Sequence, residues 1–180
     1  MDELSLTIFD IVENSIRAKA KNIVVLVEEN KKNNYLEIII EDDGIGMTNE
    51  EISKALDPFY TTKTVRKIGL GLSLFKMITE QTDGTFNISS KINIGTKIKA
   101  RLTLNHIDRP KLGELSEMIY SILINDEVEE FKYIHITDSD RFEISKKELF
   151  IEREMLMIGE IAKSLKEYID FNLNKLGRGE

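Results

Sequence analysis

The first hundred residues switch repeatedly between two hydrophobic periods, and each switch marks an element. In residues 4–20, Leu4, Ile8, Ile11, Val12, Ser15 and Ile16 share one broad side of a helical wheel, while Asp10, Glu13, Asn14 and Arg17 gather on the other. The pattern predicts an amphipathic helix on which Asp10 and Asn14, four apart, project together. Residues 22–27 (NIVVLV) predict a strand and residues 28–34 a polar loop. Residues 35–41 predict a second strand, whose run of Leu36, Ile38, Ile39 and Ile40 suits burial. Asp42 and Asp43 follow at its end, then Gly44, Ile45 and Gly46. An apolar strand ending in a carboxylate and a glycine turn suits a polar ligand, and it also suits a plain turn.

Thr48 and Glu51 read as a capping box that opens a short helix ending before Pro58. Residues 57–67 (DPFYTTKTVRK) have few periodic apolar positions but hold the cations Lys63, Arg66 and Lys67. Residues 69–82 become helical after the second glycine, with Leu72, Leu74, Phe75 and Ile78 as the apolar side and Gly84 as the stop. Glycines that open a helix expose backbone N–H groups at its positive end, which makes an anion site. No Gly-Lys-Ser/Thr follows at the spacing of a P-loop. Residues 85–90 predict a strand and residues 93–95 a turn. Residues 96–104 alternate strictly, with Lys97, Lys99 and Arg101 forming a basic stripe that is expected to be solvated.

Beyond this, residues 105–111 (NHIDRPK) read as a connector. A helix is expected over 112–125 and strands over 131–137 and 142–144. A helix opened by Ser145 and Glu148, a break near 155–159 and a final helix over about 159–173 complete the chain. These elements either form a small α+β subdomain or extend the first sheet. His135 alternates with Phe131 and Tyr133 on its strand and reads as structural.

Composition narrows the chemistry. The chain has 180 residues, 41% apolar and 32% charged, enough for one sizeable core with an appendage. A net charge of -7 disfavours phosphate backbones, so no nucleic-acid partner is expected. The absence of cysteine excludes disulfides, thiolate metal sites and cysteine nucleophiles. The Met-Asp-Glu start lacks the features of a signal peptide, and no apolar run reaches membrane-spanning length. A cytoplasmic location without a membrane partner is therefore expected.

Taken in order, DIVENSIRAKA, EDDGIGM, DPFYTTK, GLGLSL and INIGTKIKARL resemble the N box, first glycine box, F box, second glycine box and closing Gly-Thr segment of the GHKL superfamily. These are the ATP-binding domains of histidine kinases, anti-sigma-factor kinases, Hsp90, gyrase B and MutL, and the likeness is nearest to histidine kinases. It implies an α+β, two-layer sandwich (the Bergerat fold) with a mixed, mostly antiparallel sheet over 1–104, and a small C-terminal α+β extension over 105–180. It implies ATP and Mg2+ as ligands. Asp42, supported by Thr96, would accept the adenine amino group, and Gly44 and Gly46 would bring the backbone against the base. Asn14 would bind the metal. Gly69, Leu70, Gly71 and Leu72 at the helix start would hold phosphate, with Lys63 and Lys67 from the lid and Arg17 from the first helix. Asp10 would stand at the catalytic base, where the family usually has Glu. Asp43 replaces a frequent Asn and is expected to add charge near the nucleotide.

The resemblance implies a regulatory ATP-binding protein acting alone, which transfers phosphate to a partner protein. The alternatives are a non-catalytic ATP-gated binding switch and an ATPase that forms a homodimer with nucleotide. His106, in HIDRP, is only faintly similar to a phosphoacceptor sequence, because the proline offset differs and no dimerising helix carries it. It reads as part of the connector.

Overall fold

The computed structural model describes residues 3–58, 70–153 and 158–177. In chain order the elements are α1 (Leu4–Arg17), β1 (Asn22–Asn30), β2 (Tyr35–Asp42), α2 (Asn49–Ala55), α3 (Leu70–Gln81), β3 (Thr85–Lys91) and β4 (Gly95–Thr103). Then come α4 (Ser116–Leu123), β5 (Glu130–Ile136), β6 (Arg141–Ser145), α5 (Lys146–Arg153) and α6 (Ile158–Gly177). The expected break near 155–159 falls largely outside the described residues.

One six-stranded sheet runs in the order β3-β4-β2-β1-β5-β6. Every neighbouring pair is antiparallel except β1 with β5, which is parallel. Of the two arrangements that the sequence leaves open for the C-terminal third, the strands join the first sheet. The register places Ile23, Val25 and Val27 of β1 beside Ile40 and Ile38 of β2 and beside Phe131 and Tyr133 of β5 on one face. Helices α1, α3, α4 and α6 cover that face, and their apolar sides merge with it into one core. Burying each of its isoleucines stabilises the fold by about 1.5–3 kcal/mol. The result is the α+β, two-layer, mostly antiparallel fold.

Two details matter for the site. The first N–H groups of α1 have no side-chain cap. Instead Leu4 N donates to Lys111 O at 2.9 Å and Ser5 N to Leu112 O at 2.8 Å, so the connector after β4 closes the start of α1. Thr48 and Glu51 form the expected reciprocal capping box of α2.

The basic stripe of β4 is not simply solvated. Lys97 pairs with Glu41 at 2.8 Å. Lys99 and Arg101 both hold the buried carboxylate of Glu37, at 2.5 and 2.9 Å. Arg101 also lies over the Tyr35 ring, 4.3 Å from its centroid. The register explains this, because Glu37 sits opposite Arg101 and Glu41 opposite Lys97. Burial pushes the Glu37 carboxyl up, but the bonds from Lys99 and Arg101 outweigh it and hold it below the ordinary glutamate range. A depressed folded value contributes stability at neutral pH that disappears as pH falls through that value. Thermal unfolding followed from pH 7 down to about pH 3 is therefore expected to show a falling Tm. Glu37→Gln should flatten that slope and cost about 1–3 kcal/mol at pH 7.

Candidate functional site

The site is built on the last residue of β2. Asp42 lies opposite Ile23 on one side and Thr96 on the other, half-buried at the sheet end. Both of its carboxylate oxygens are already oriented by protein. Ser15 Oγ donates to Oδ2 at 2.6 Å, and Gly44 N donates to Oδ1 at 2.9 Å. A carboxylate offers about four lone-pair sites, so acceptor capacity remains for an incoming N–H. Ser15 sits on the apolar side of α1 and is itself buried. A small polar residue on an apolar stripe is the one sequence signal of this role.

Backbone packing forces the glycines here. Gly95 has φ +127, and a Cβ there would stand 1.9 Å from Asp42 O. Gly46 has φ +68, and its Cβ would meet Lys91 O at 2.0 Å. A Cβ on Gly44 would press on Ala18 O at 2.9 Å. In this structure Gly44 and Gly46 thus meet α1 and the β3–β4 turn.

Asp43 turns away from Asp42. Its Oδ1 accepts from Lys21 N at 2.7 Å and Asn22 N at 2.8 Å, and its Oδ2 accepts from Asn22 Nδ2 at 2.6 Å. Burial pushes this carboxyl up, but the donors from Asn22 and Lys21 outweigh it and the net effect is downward. The Asp43 carboxylate thereby ties the α1–β1 connector to the end of β2.

Thr96 reaches toward Ser90 and not Asp42. Its hydroxyl lies 2.8 Å from Ser90 Oγ, a partner that the sequence did not single out. Ser90 also accepts from Met47 N at 2.8 Å and donates to Gly95 O at 2.9 Å.

The second half of the site lies where α3 meets α1. A Cβ on Gly71 would stand 3.2 Å from Asp10 Cβ, so the first turn of α3 is packed on the polar face of α1. The described part of α3 opens at Leu70, two residues before the helix that the sequence predicts after Gly71. Leu72 is buried in the core, so toward an anion it can offer only its backbone. Asp10 is exposed and Asn14 half-buried on the facing surface. Arg17 donates to Asn14 Oδ1 at 3.3 Å and to Glu13 at 2.5 Å. Lys63, Lys67 and Gly69 lie outside the described residues.

No group of three or more metal-ligating side chains occurs among the described residues. The Asn14 amide oxygen beside Asp10 suits a hard cation that takes its other ligands from phosphate and water, which is the habit of Mg2+. Likewise, no described helix is long and apolar enough to cross a membrane.

A sheet end with an oriented carboxylate suits a polar ligand, and a helix start packed on α1 suits an anion. Residues 1–106 match the profile of the histidine kinase-, DNA gyrase B- and HSP90-like ATPases, and the chain belongs to that family. It is an ATP-binding, kinase-like domain. The chain is 34% identical over 112 residues to the sensor protein RprX of Bacteroides fragilis, covering 57% of this chain and 22% of that protein. It is 31% identical over 103 residues to sporulation kinase C of Bacillus subtilis, covering 57% and 24%. With the histidine-protein kinase ArlS of Staphylococcus aureus it shares 34% identity over 93 residues, covering 49% and 21%. The chain thus spans under a quarter of the length of these relatives. The N-terminal domain of a DNA repair protein superposes with a TM-score of 0.49 at 16% identity, over 80% of this chain and 52% of its own.

Gly95→Ala is expected to cost more than about 2 kcal/mol, because it adds strain and a clash at Asp42. Urea denaturation measures it. By the same assay, Asp43→Ala should cost about 1 kcal/mol, since the group is exposed, and Asp43→Asn should cost less, since an amide oxygen still accepts.

Proposed function

We propose that this chain binds Mg-ATP and passes the γ-phosphate to an acceptor on a partner protein as a regulatory signal. The observation that carries this reading is the packing of Gly71 on Asp10, which sets the first turn of α3 against the face of α1 that carries Asp10. Asp42 accepts the amino group of the adenine, and the first turn of α3 holds phosphate oxygens by its N–H groups. Mg2+, when bound, draws charge off the phosphates, and Asn14 supplies it with an amide oxygen. Asp10 takes a proton from the acceptor or orients water around the metal. The need for ATP fits the cytoplasmic location expected from the sequence.

The histidines support an acceptor outside this chain's site. The chain has two. His135 is buried, with Nδ1 3.0 Å from Tyr133 OH and Nε2 2.9 Å from Glu29. It pairs with Val27, well up β1 from the Ile23–Asp42 end. His106 follows the far end of β4, and the seven residue steps from Thr96 to Thr103 span roughly 23 Å. It accepts from Asp108 N at 3.1 Å within the connector.

A second reading, an ATP-gated binding switch without transfer, draws on Asp10, one methylene shorter than the glutamate usual in the family. Calorimetry with Mg-ATP tests binding, which Asp42→Asn should abolish, while Asn14→Ala should remove its magnesium dependence. Labelled γ-phosphate separates the two readings. Label that reaches a protein supports transfer, and bound nucleotide with no label on protein or in phosphate leaves the switch.

A further inference from the structure

We propose that Ser90 is a positioning residue that sets which way the Thr96 hydroxyl points, and thereby makes the base site selective for a 6-aminopurine over a 6-oxopurine. The proposal deepens the adenine reading of Asp42 and Thr96 and rests on it.

A proton count gives the argument. Ser90 Oγ has one proton and two lone pairs. It meets three groups at hydrogen-bond distance: Met47 N at 2.8 Å, Gly95 O at 2.9 Å and Thr96 Oγ1 at 2.8 Å. Met47 N can only donate, and Gly95 O can only accept. One assignment satisfies all three contacts. Ser90 gives its proton to Gly95 O and accepts from both Met47 N and Thr96 Oγ1. Were Ser90 to donate to Thr96 instead, two lone-pair oxygens would face each other at 2.9 Å across the Gly95 contact.

The proton of Thr96 is therefore committed to Ser90, and the free side of its oxygen carries only lone pairs. Asp42 lies beside it, opposite Thr96 in the register and on the same face, and an ionised carboxylate also only accepts. The end of the sheet thus presents acceptors alone. An exocyclic amino group meets them with N–H donors. A keto oxygen at the same place meets lone pairs, and a buried mismatch of this kind is strongly rejected. Ser90 also ties the turn after Gly46, through Met47 N, to the start of β4, so one side chain fixes both the pocket wall and the polarity of its hydroxyl.

The experiment titrates the full chain with Mg-ATP and with Mg-inosine triphosphate, which replaces the 6-amino group by oxygen. Wild type is expected to prefer ATP by at least about a hundredfold. In Ser90→Ala the Thr96 proton is free to turn outward. ATP should weaken by about tenfold and the preference over inosine triphosphate should narrow by about tenfold or more. Ser90→Thr, which keeps the hydroxyl, should retain the preference. A Ser90→Ala protein that weakens for both nucleotides equally, or for neither, overturns the proposal. Should Ser90→Ala fail to fold, Thr96→Val decides. Loss of ATP affinity without loss of inosine triphosphate affinity supports an accepting Thr96, and unchanged ATP affinity overturns it. Wild type that binds neither nucleotide refutes the adenine reading itself, an outcome distinct from either of these.

Discussion

The last carbonyl of β2 is closely enclosed by backbone, and the site depends on that crowding. Gly95 sits so close to Asp42 O that no side chain fits between the two strands. Ala18 at the end of α1 closes on Gly44, and Ile45 N donates to Ala18 O at 2.9 Å. Backbone of the β3–β4 turn closes on Gly46, and Asn93 N donates to Ile45 O at 2.8 Å. Asp42 is thus enclosed by Gly95 at its carbonyl and held by Gly44 N at Oδ1 and by Ser15 at Oδ2. Such a carboxylate does not need to reorganise when a ligand arrives, which lowers the entropic cost of binding.

Hydrophobic period made most of the frame legible. The switch from a period of 3.6 to 2 after Lys21 located β1, and the alternation from Thr96 located β4. The strands ran a few residues longer than the apolar pattern, because polar residues such as Glu28 and Glu29 still pair in the ladder. Pairing of β5 with β1 was not legible. Parallel pairing across a hundred residues of chain leaves no local mark, and it is decided by which apolar edges remain to be covered. The hydroxyl partners were hidden for another reason. Ser15 and Ser90 earn their roles by what stands opposite them in space, and their own positions read as ordinary helix and strand.

Side-chain alternation along β2 sorts its residues between the core and the outer face. Asp43 lies just past the end of β2, where the bonds from Lys21 and Asn22 and not the strand set its direction. Within β2 the alternation sorts Glu37 and Glu41 onto the face of Lys99, Arg101 and Lys97, away from the core. The acidic and basic residues that looked like a solvated surface form a cross-strand lattice over β2 and β4. That lattice stiffens the two strands whose ends carry Asp42 and Thr96.

The connector between α1 and β1 carries the argument to the C-terminal third. Lys21 N donates to Asp43, next in sequence to Asp42, while Lys21 O accepts from both Glu129 N and Glu130 N at 2.9 Å as β5 begins. Lys21 Nζ adds a bond to Glu127 O at 3.0 Å. At the opposite end of α1, Lys111 and Leu112 close the helix start. The C-terminal third therefore grips α1 at both ends, and α1 is the element that presents Asp10, Asn14 and Ser15. A displacement of β5 along β1 would have to break the Lys21 bonds that also seat Asp43. The C-terminal third is in this way part of the framework that holds α1 against the end of the sheet.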